Sequence, residues 1–190
     1  MRLLKPFVLV AALAAASVPA AAQEAPRWVV DHEASKLAFL FTQSGSEYEG
    51  VFQSWTAEIA FDPDDLAASA LAVTIDMASA ETGSDDRDQL LRTAPLFDVE
   101  SYPEGRFESG EIVETGEGAY EARGRLTLRD QTRDVVLPFT LAIDDGVAEA
   151  EGRLDIKRLD YGVGQGQWAD TSMVADPVAI RFEIRATRAE

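Results

Sequence analysis

The sequence has no cysteine and a single histidine, His32, among its 190 residues. Without cysteine the protein has no disulfide and no thiol nucleophile, so packing must supply its stability. One histidine cannot build the usual multi-ligand transition-metal site, and we interpret His32 as a surface residue without a catalytic role. The sequence therefore predicts no metal site and no cofactor.

Catalytic motifs are also scarce. No G-x-S-x-G sequence is present, and a Ser-His-Asp set would have to use His32. The glycine-rich loop 161–168 precedes a strand rather than a helix, which argues against a dinucleotide-binding turn. The acidic segment 62–65 lacks the glycine and terminal glutamate of a calcium loop and is typical of a turn. We predict no catalytic residues, and a binding role is favoured by elimination.

Basic residues are few: 17 lysines and arginines stand against 34 acidic residues, which gives a net charge of −17. A surface of this sign repels nucleic acid, so no nucleic-acid partner is predicted. Solubility is the simplest explanation of the charge itself.

Long apolar runs are confined to the N-terminus. Arg2 and Lys5 precede the apolar stretch 7–18, and small residues at 20–22 precede a polar sequence. This pattern predicts a secretory signal peptide over residues 1–22, cleaved near Ala22. The alternative, a membrane anchor, would need a run of ~20 apolar residues. We therefore expect no stable membrane insertion and treat residues 23–190 as one domain.

What the mature sequence does contain is repeated alternation of apolar and polar residues. Residues 69–77 and 178–186 show it clearly, and 36–43, 49–62, 106–113, 120–128, 135–143 and 148–156 follow the same pattern. Alternation with period two places one set of side chains on each face of a strand. Turn sequences at 62–65, 117–118, 130–131 and 144–146 join these strands. The predicted fold is all-β, an antiparallel barrel, because closure removes exposed sheet edges.

One segment departs from the strand pattern. Residues 85–93 are typical of a short helix, with Ser84 or Asp85 as the N-cap and further aspartates in its first turn. The barrel therefore carries one short inserted helical segment.

The inward set mixes large and small side chains. An eight-stranded barrel is just wide enough to be filled by side chains or to hold one ligand. Inward glycines and alanines on neighbouring strands leave room for a ligand, unless the helical segment or opposite side chains fill it. The candidate ligand-binding residues are Phe39, Phe41, Trp55, Ile59, Leu71, Val73, Ile75, Met77, Ala122, Gly124, Leu126, Phe139, Leu141, Ala150, Gly152, Ile180, Phe182 and Trp168.

Short motifs in a fixed order carry a family resemblance across residues 28–186. They are WVVD at 28–31 with Ser35, Phe52, FDPDD at 61–65, IDMAS at 75–79, Thr82-Gly83, Arg87-Asp88, LFD at 96–98, Tyr102-Pro103 with Phe107, Tyr120, GRLTL at 124–128, LDYGVG at 159–164 and Trp168. In order and spacing the chain resembles the YceI-like family of periplasmic, polyisoprenoid-binding proteins with a lipocalin-like barrel.

The resemblance implies a long apolar tunnel, a periplasmic location, and binding of an isoprenoid such as a quinone tail or polyprenyl lipid. The leading hypothesis is therefore non-enzymatic binding, sequestration or transport of a long apolar chain. Two alternatives stay open: an enzyme acting on an amphiphile, and a stress-related protein-interaction module with a solid barrel. A homodimer is also left open. We further predict that segment 82–97, with Arg87, and loop 162–168 flank the tunnel entrance.

Overall fold

The computed structural model describes residues 24–189, so the predicted signal peptide lies outside the described residues. The described residues form eleven strands and one α-helix. The elements are β1 (Arg27–Val30), β2 (Lys36–Gln43), β3 (Ser46–Phe52), β4 (Trp55–Ala60), β5 (Ala70–Asp76), β6 (Ala80–Glu81), α1 (Asp85–Leu91), β7 (Glu104–Gly116), β8 (Ala119–Leu128), β9 (Gln131–Asp144), β10 (Val147–Lys157) and β11 (Val174–Arg188).

The strands form one antiparallel sheet that closes on itself. Its order runs β1-β4-β5-β7-β8-β9-β10-β11, and β1 pairs again with β11, which completes an eight-stranded ring. Strands β2, β3 and β6 continue the sheet beside β11. The predicted antiparallel barrel with one short helix is confirmed.

Three strand pairs along the chain behave as long strands with a break, namely β1 with β2, β3 with β4, and β5 with β6. Side-chain turns cause two of the breaks. The Asp31 carboxylate accepts hydrogen bonds from the backbone N–H groups of Glu33 and Ala34, and the Asp76 carboxylate accepts one from Ala78. Such local hydrogen bonds compete with the sheet ladder and interrupt it.

The prediction of one strand over 49–62 was therefore wrong. Two strands occupy this stretch, and Gln53 and Ser54 separate them. Their backbone N–H groups turn to the carbonyl and hydroxyl oxygens of Ser79, at 3.2 and 3.1 Å, instead of continuing the ladder. Gly50 lies within β3, where the ring of Phe39 covers it.

The helix is shorter than the predicted 85–93 and ends at Leu91. Ser84 occupies the N-cap position, but its side chain makes no capping hydrogen bond. Instead, Asp88 accepts hydrogen bonds from the backbone N–H and the hydroxyl of Thr82, at 2.8 and 2.6 Å. This carboxylate fixes the chain that enters the helix. No helix among residues 24–189 has the length and apolar character needed to traverse a bilayer.

Candidate functional site: two apolar chambers inside the barrel

The barrel interior contains two chambers. The far chamber is lined by Trp28, Leu37, Trp55, Ala57, Ile59, Phe61, Leu71, Val73, Phe107, Leu137, Phe139, Leu141, Ile143, Ala148, Ala150, Phe182, Ile184 and Ala186. The helix-side chamber is lined by Phe39, Phe41, Gln43, Phe52, Ile75, Met77, Arg87, Leu90, Leu91, Leu96, Phe97, Leu126, Leu128, Ile156, Arg158, Val163, Trp168, Val174, Val178 and Ile180. Their empty space is about 860 and 1010 Å³ respectively, including the part open to solvent.

The chambers lie end to end along the strands. On β5 the inward residue Val73 lines the far chamber, and the next inward residue, Ile75, lines the helix-side chamber. On β11 the same change falls between Phe182 and Ile180. Because these residues are consecutive members of one inward row, the two chambers are neighbours along the barrel.

Several inward side chains are only half-buried. Leu71, Val73, Ile180 and Phe182 all keep part of their surface uncovered, although they point into the barrel. The alternation predicts that all four face the barrel interior, and they do, although none of them is completely covered. Protein interiors are normally close-packed, with few voids larger than a water molecule. The exposure of these side chains therefore comes from unfilled space inside the barrel.

The outward set lies where the alternation predicts. Arg125 and Glu149 each have about 64% of the side chain exposed, and Arg123, Glu151, Glu183 and Arg185 are exposed as well. Ion pairs join some of them across strands, as between Arg185 and Glu149. Exposed pairs of this kind contribute ~0–1 kcal/mol each, so they favour solubility more than stability.

Most of the predicted ligand-binding residues line one of the chambers. Those in the far chamber are Trp55, Ile59, Leu71, Val73, Phe139, Leu141, Ala150 and Phe182. Those in the helix-side chamber are Phe39, Phe41, Ile75, Met77, Leu126, Trp168 and Ile180. No ligand tests their role, which stays a prediction.

Three predicted residues, Ala122, Gly124 and Gly152, line neither chamber. A Cβ at Gly152 would lie 2.5 Å from Cζ of Phe182, its partner on β11, so the aromatic ring already fills that space. A Cβ at Gly124 would lie 2.2 Å from the carbonyl oxygen of Glu108, beside a bulge in β7. These glycines permit close packing and do not create a cavity.

Two segments close the helix-side chamber. Leu90, Leu91 and Phe97 come from the segment around α1, and Val163 and Trp168 come from the glycine-rich loop. The segments hold each other directly, because the carbonyl of Pro95 accepts hydrogen bonds from the N–H groups of Gly164 and Gln165, at 2.9 and 2.8 Å. The structure thus brings together both segments that we predicted beside the entrance.

Arg129 ties the first of these segments to the β8–β9 turn. Its side chain is only 7% exposed, lies 3.5 Å from the carboxylate of Asp98, and donates hydrogen bonds to the carbonyls of Ala94 and Leu96. Its guanidinium also lies over the ring of Tyr102, at 5.3 Å. The turn sequence at 130–131 gives no indication of this role for Arg129.

Sequence reasoning also missed Leu90, Leu91, Leu96 and Phe97, because a seven-residue helix and an irregular loop carry no usable period. It missed Arg158, which is 4% exposed, because a charged residue after a strand normally faces water. Leu128, Ile156 and Val178 could have been found, since each continues an apolar alternation.

Burial is the largest cause of the pKa shift at three of the described groups. It raises the pKa of the Tyr161 and Tyr120 hydroxyls above the ordinary value, and Glu114 adds to the effect at Tyr120. It lowers the pKa of the Arg158 guanidinium, an effect that Asp176 partly opposes.

His32 is exposed and packs edge-on against Trp55, with 4.5 Å between ring centroids. Within residues 24–189 no group of three histidines or acids could hold a metal ion.

The fold and the unfilled interior define an antiparallel β-barrel with an internal apolar cavity. Comparison with protein families is more specific, because a model of the YceI-like domain matches residues 28–186. The chain belongs to the YceI-like family, and this confirms the family prediction. A UPF0312 protein of Vibrio cholerae is 32% identical over 136 residues, which are 70% of this chain and 71% of that protein. A UPF0312 protein of Photorhabdus laumondii is 38% identical over 126 residues, 62% of this chain and 65% of that protein.

Solved structures share the fold. BcnA of Burkholderia cenocepacia superposes with a TM-score of 0.81 at 35% identity, covering 83% of this chain and 99% of that one. A polyisoprenoid-binding domain from Saccharophagus degradans, implicated in plant cell wall breakdown, superposes with a TM-score of 0.69 at 17% identity, covering 86% and 99%. At that identity the second likeness shows the fold alone.

Proposed function

We propose that the protein binds a long apolar chain of the isoprenoid class inside its barrel, without catalysing a reaction. The observation that carries this proposal is the pair of apolar chambers placed end to end along one inward row of side chains. Concave sites with mostly apolar walls are typical of small-molecule binding. A continuous row suits a linear ligand better than a compact one.

The energetics favour such a ligand. Each buried methylene contributes ~0.8 kcal/mol, so a chain that occupies both chambers gains many kcal/mol without polar recognition. The isoprenoid class is suggested by the Saccharophagus domain of the same fold, which is described as polyisoprenoid-binding. A quinone tail and a polyprenyl lipid both meet these requirements.

The chemistry of the walls supports binding over turnover. Among the described residues that line the chambers there is no carboxylate and no histidine, and the charged ones are Arg87 and Arg158. A general acid or base within reach of the ligand would normally be a carboxylate or a histidine.

We also propose export to the periplasm, with residues 1–22 removed. N-terminal sequencing of the protein from that compartment tests this part.

The binding proposal is tested with protein stripped of lipid in denaturant and refolded, which the absence of cysteine simplifies. Two variants each keep one tryptophan: Trp28→Phe with Trp55→Phe keeps Trp168, and Trp28→Phe with Trp168→Phe keeps Trp55. A brominated isoprenoid chain should quench both tryptophans, because one lines each chamber, whereas the unbrominated chain should not.

Absence of quenching in both folded variants would contradict the proposal. Native mass spectrometry of protein from an exporting host should in addition show a bound lipid that is released on unfolding. A bound lipid whose mass changes during incubation with the protein would instead favour the enzyme alternative, and a barrel that takes up no lipid would favour the interaction module.

A further inference from the structure

Strands β9 and β10 separate from each other partway along their length. They pair from their shared turn as far as Phe139 with Gly152, and among the described residues no pairing between the two strands follows. The rest of β9, residues 131–138, pairs with β8 alone, and the rest of β10, residues 153–157, pairs with β11 alone. These two stretches border an interruption in the barrel wall, which we call the lateral seam.

Pro138 explains where the ladder between β9 and β10 stops. The register of the paired part, continued by one residue, places Pro138 opposite Arg153. Proline has no N–H to donate, so this pair cannot exchange both of its hydrogen bonds. The sequence therefore ends the ladder at a fixed point, and the strands part beyond it.

Both edges of the seam carry backbone groups without a strand partner. Successive residues of an antiparallel strand direct their N–H and C=O groups to opposite sides. The N–H of Leu141 donates toward β8, to the carbonyl of Gly118 at 2.8 Å, so alternate residues of β9 direct theirs toward β10. Those within the seam are Thr132, Asp134 and Val136. No backbone hydrogen bond joins the two edges in the described part of the chain, so none has to break when the seam opens.

Apolar side chains cover the seam from inside. Val135 and Leu137 of β9 are half-buried, and Leu154 of β10 is 8% exposed and lines neither chamber. Leu137 lines the far chamber, and Ile156, the next inward residue of β10 after Leu154, lines the helix-side chamber. The seam therefore borders both chambers.

One side-chain bridge crosses from β9 to the segment that follows β10. Arg133 donates from Nε and Nη2 to the carbonyl of Asp160, at 3.2 and 2.9 Å. This bridge limits the seam toward the helix side, as the Phe139–Gly152 pair limits it toward the far chamber. The seam is therefore a bounded interruption of the wall.

The two ends of the barrel are held by more specific contacts. Beside the far chamber lies a cluster of buried rings with centroids 5.4–6.5 Å apart, formed by Phe61, Tyr120 and Phe139. Nε1 of Trp28 also donates to the carbonyl of Phe61 at 3.0 Å. At the helix side, the hydrogen bonds of Pro95 and Arg129 join α1, the glycine-rich loop and the β8–β9 turn. Displacing either end breaks such contacts, whereas opening the seam requires only that side chains rotate.

We propose that the lateral seam is the route by which the isoprenoid chain enters and leaves the barrel, between β9 and β10, while both ends stay in place. The inference rests on the proposed function and adds to it the route of entry. Rotation of Leu137 and Leu154 uncovers an apolar path to both chambers. Val136, which is 47% exposed, gives the outer rim of the seam an apolar contact for the approaching chain.

The experiment closes the seam covalently. Val136 and Asp155 are exposed on the outer face and lie opposite each other when the register is continued. The double variant Val136→Cys with Asp155→Cys is joined by a short bis-maleimide, which reacts only there because the chain has no cysteine of its own. The matched control is Thr140→Cys with Glu151→Cys, joined in the same way. It links the same two strands on the same face where the ladder is intact.

Binding of brominated geranylgeraniol to the lipid-free protein is followed by tryptophan quenching after rapid mixing. Cross-linking the seam should slow both association and dissociation by about tenfold or more, because binding then needs a different and larger opening of the barrel. The equilibrium affinity should stay the same, since a blocked route raises the barrier and leaves the bound state unchanged. The control cross-link should change neither rate.

Two further measurements do not depend on cross-linking. Pro138→Thr restores the N–H that is missing opposite Arg153, so it should extend the ladder and slow both rates in the same direction. Amide hydrogen exchange tests the seam itself. The N–H of Val136 should exchange at least about tenfold faster than that of Thr140, which the ladder protects.

The outcomes separate this inference from the proposed function. Unchanged rates after the seam is cross-linked, or equal slowing by both cross-links, would overturn the lateral route and leave chain binding intact. Equal protection of the Val136 and Thr140 amides would show a closed wall and would overturn it as well. If brominated geranylgeraniol quenches no tryptophan in the protein without cross-links, chain binding itself fails.

Discussion

Gly152 lies against the ring of Phe182 across the β10–β11 pair, and its replacement by alanine tests how the barrel interior is packed. The added Cβ would lie 2.5 Å from Cζ of Phe182 and 2.7 Å from the carbonyl oxygen of Pro138 on β9. Favourable contacts between carbon atoms need ~3.5–4.0 Å. The ring can rotate away, but the carbonyl belongs to a paired strand and can move only with its backbone.

The expected cost follows from these distances. Overpacking a filled site destabilises by ~1–3 kcal/mol, and replacing glycine by alanine returns ~0.4–1 kcal/mol through the unfolded chain. We therefore expect Gly152→Ala to lower the free energy of unfolding by about 1–2 kcal/mol. For a domain of this size the melting temperature should fall by roughly 2–8 °C.

Thermal and urea unfolding of the lipid-free protein measure this effect. Gly110→Ala is the matched control, since its Cβ would make an ordinary contact of 3.7 Å with the carbonyl of Arg123. Combining Gly152→Ala with Phe182→Leu should reduce the cost of the alanine, because part of the clash is with the ring. If Gly152→Ala is as stable as the Gly110→Ala control, the glycine does not lie against a filled site and our account of β10 is wrong.

Three further predictions concern the loop, the far chamber and the tyrosines. Gly164→Ala should lower the free energy of unfolding by about 2 kcal/mol or more in urea, because the added Cβ would displace Arg158. Gly166 also has positive φ but has open space around it, so Gly166→Ala should cost only about 1 kcal/mol. Equal costs would argue against the Arg158 contact. Ala150→Phe should fill part of the far chamber. Titration with ligand should then show an affinity roughly tenfold lower for a long isoprenoid, equivalent to about two methylene contacts, and little change for a short one. A similar loss of affinity for both ligands would contradict placement of the chain in the far chamber. Burial raises the pKa of Tyr161 and Tyr120, so the neutral phenols stabilise the fold below the unfolded-state pKa of ~10, and this contribution is lost as pH rises through the folded-state pKa. Tyr161→Phe should therefore flatten the fall in the free energy of unfolding above pH ~10. An unchanged slope would refute the assignment to Tyr161.

The sequence alone determined which side of each strand faces inward. Val178, Ile180 and Phe182 alternate with Arg181 and Glu183, and the barrel places the first set inside and Glu183 in water. The sequence also predicted the turn at Asp145 and Gly146, and both residues adopt the positive φ that such turns need. These features are local: they depend on the pleat of one strand or the backbone of one turn, and neighbours in the chain specify them.

Only the tertiary structure decided where the interior is empty. Gly152 and Ala150 are both small inward candidates on β10, yet Phe182 fills the space at Gly152 while Ala150 borders the far chamber. The difference depends on the register with β11, which pairs Gly152 with Phe182 and Ala150 with Ile184. Likewise, Arg158 becomes a buried wall of the helix-side chamber because the loop at Val163 and the start of β11 fold over it. Residues distant in sequence set the cavity volume and the burial of Arg158, so the apolar period along a single strand predicts neither.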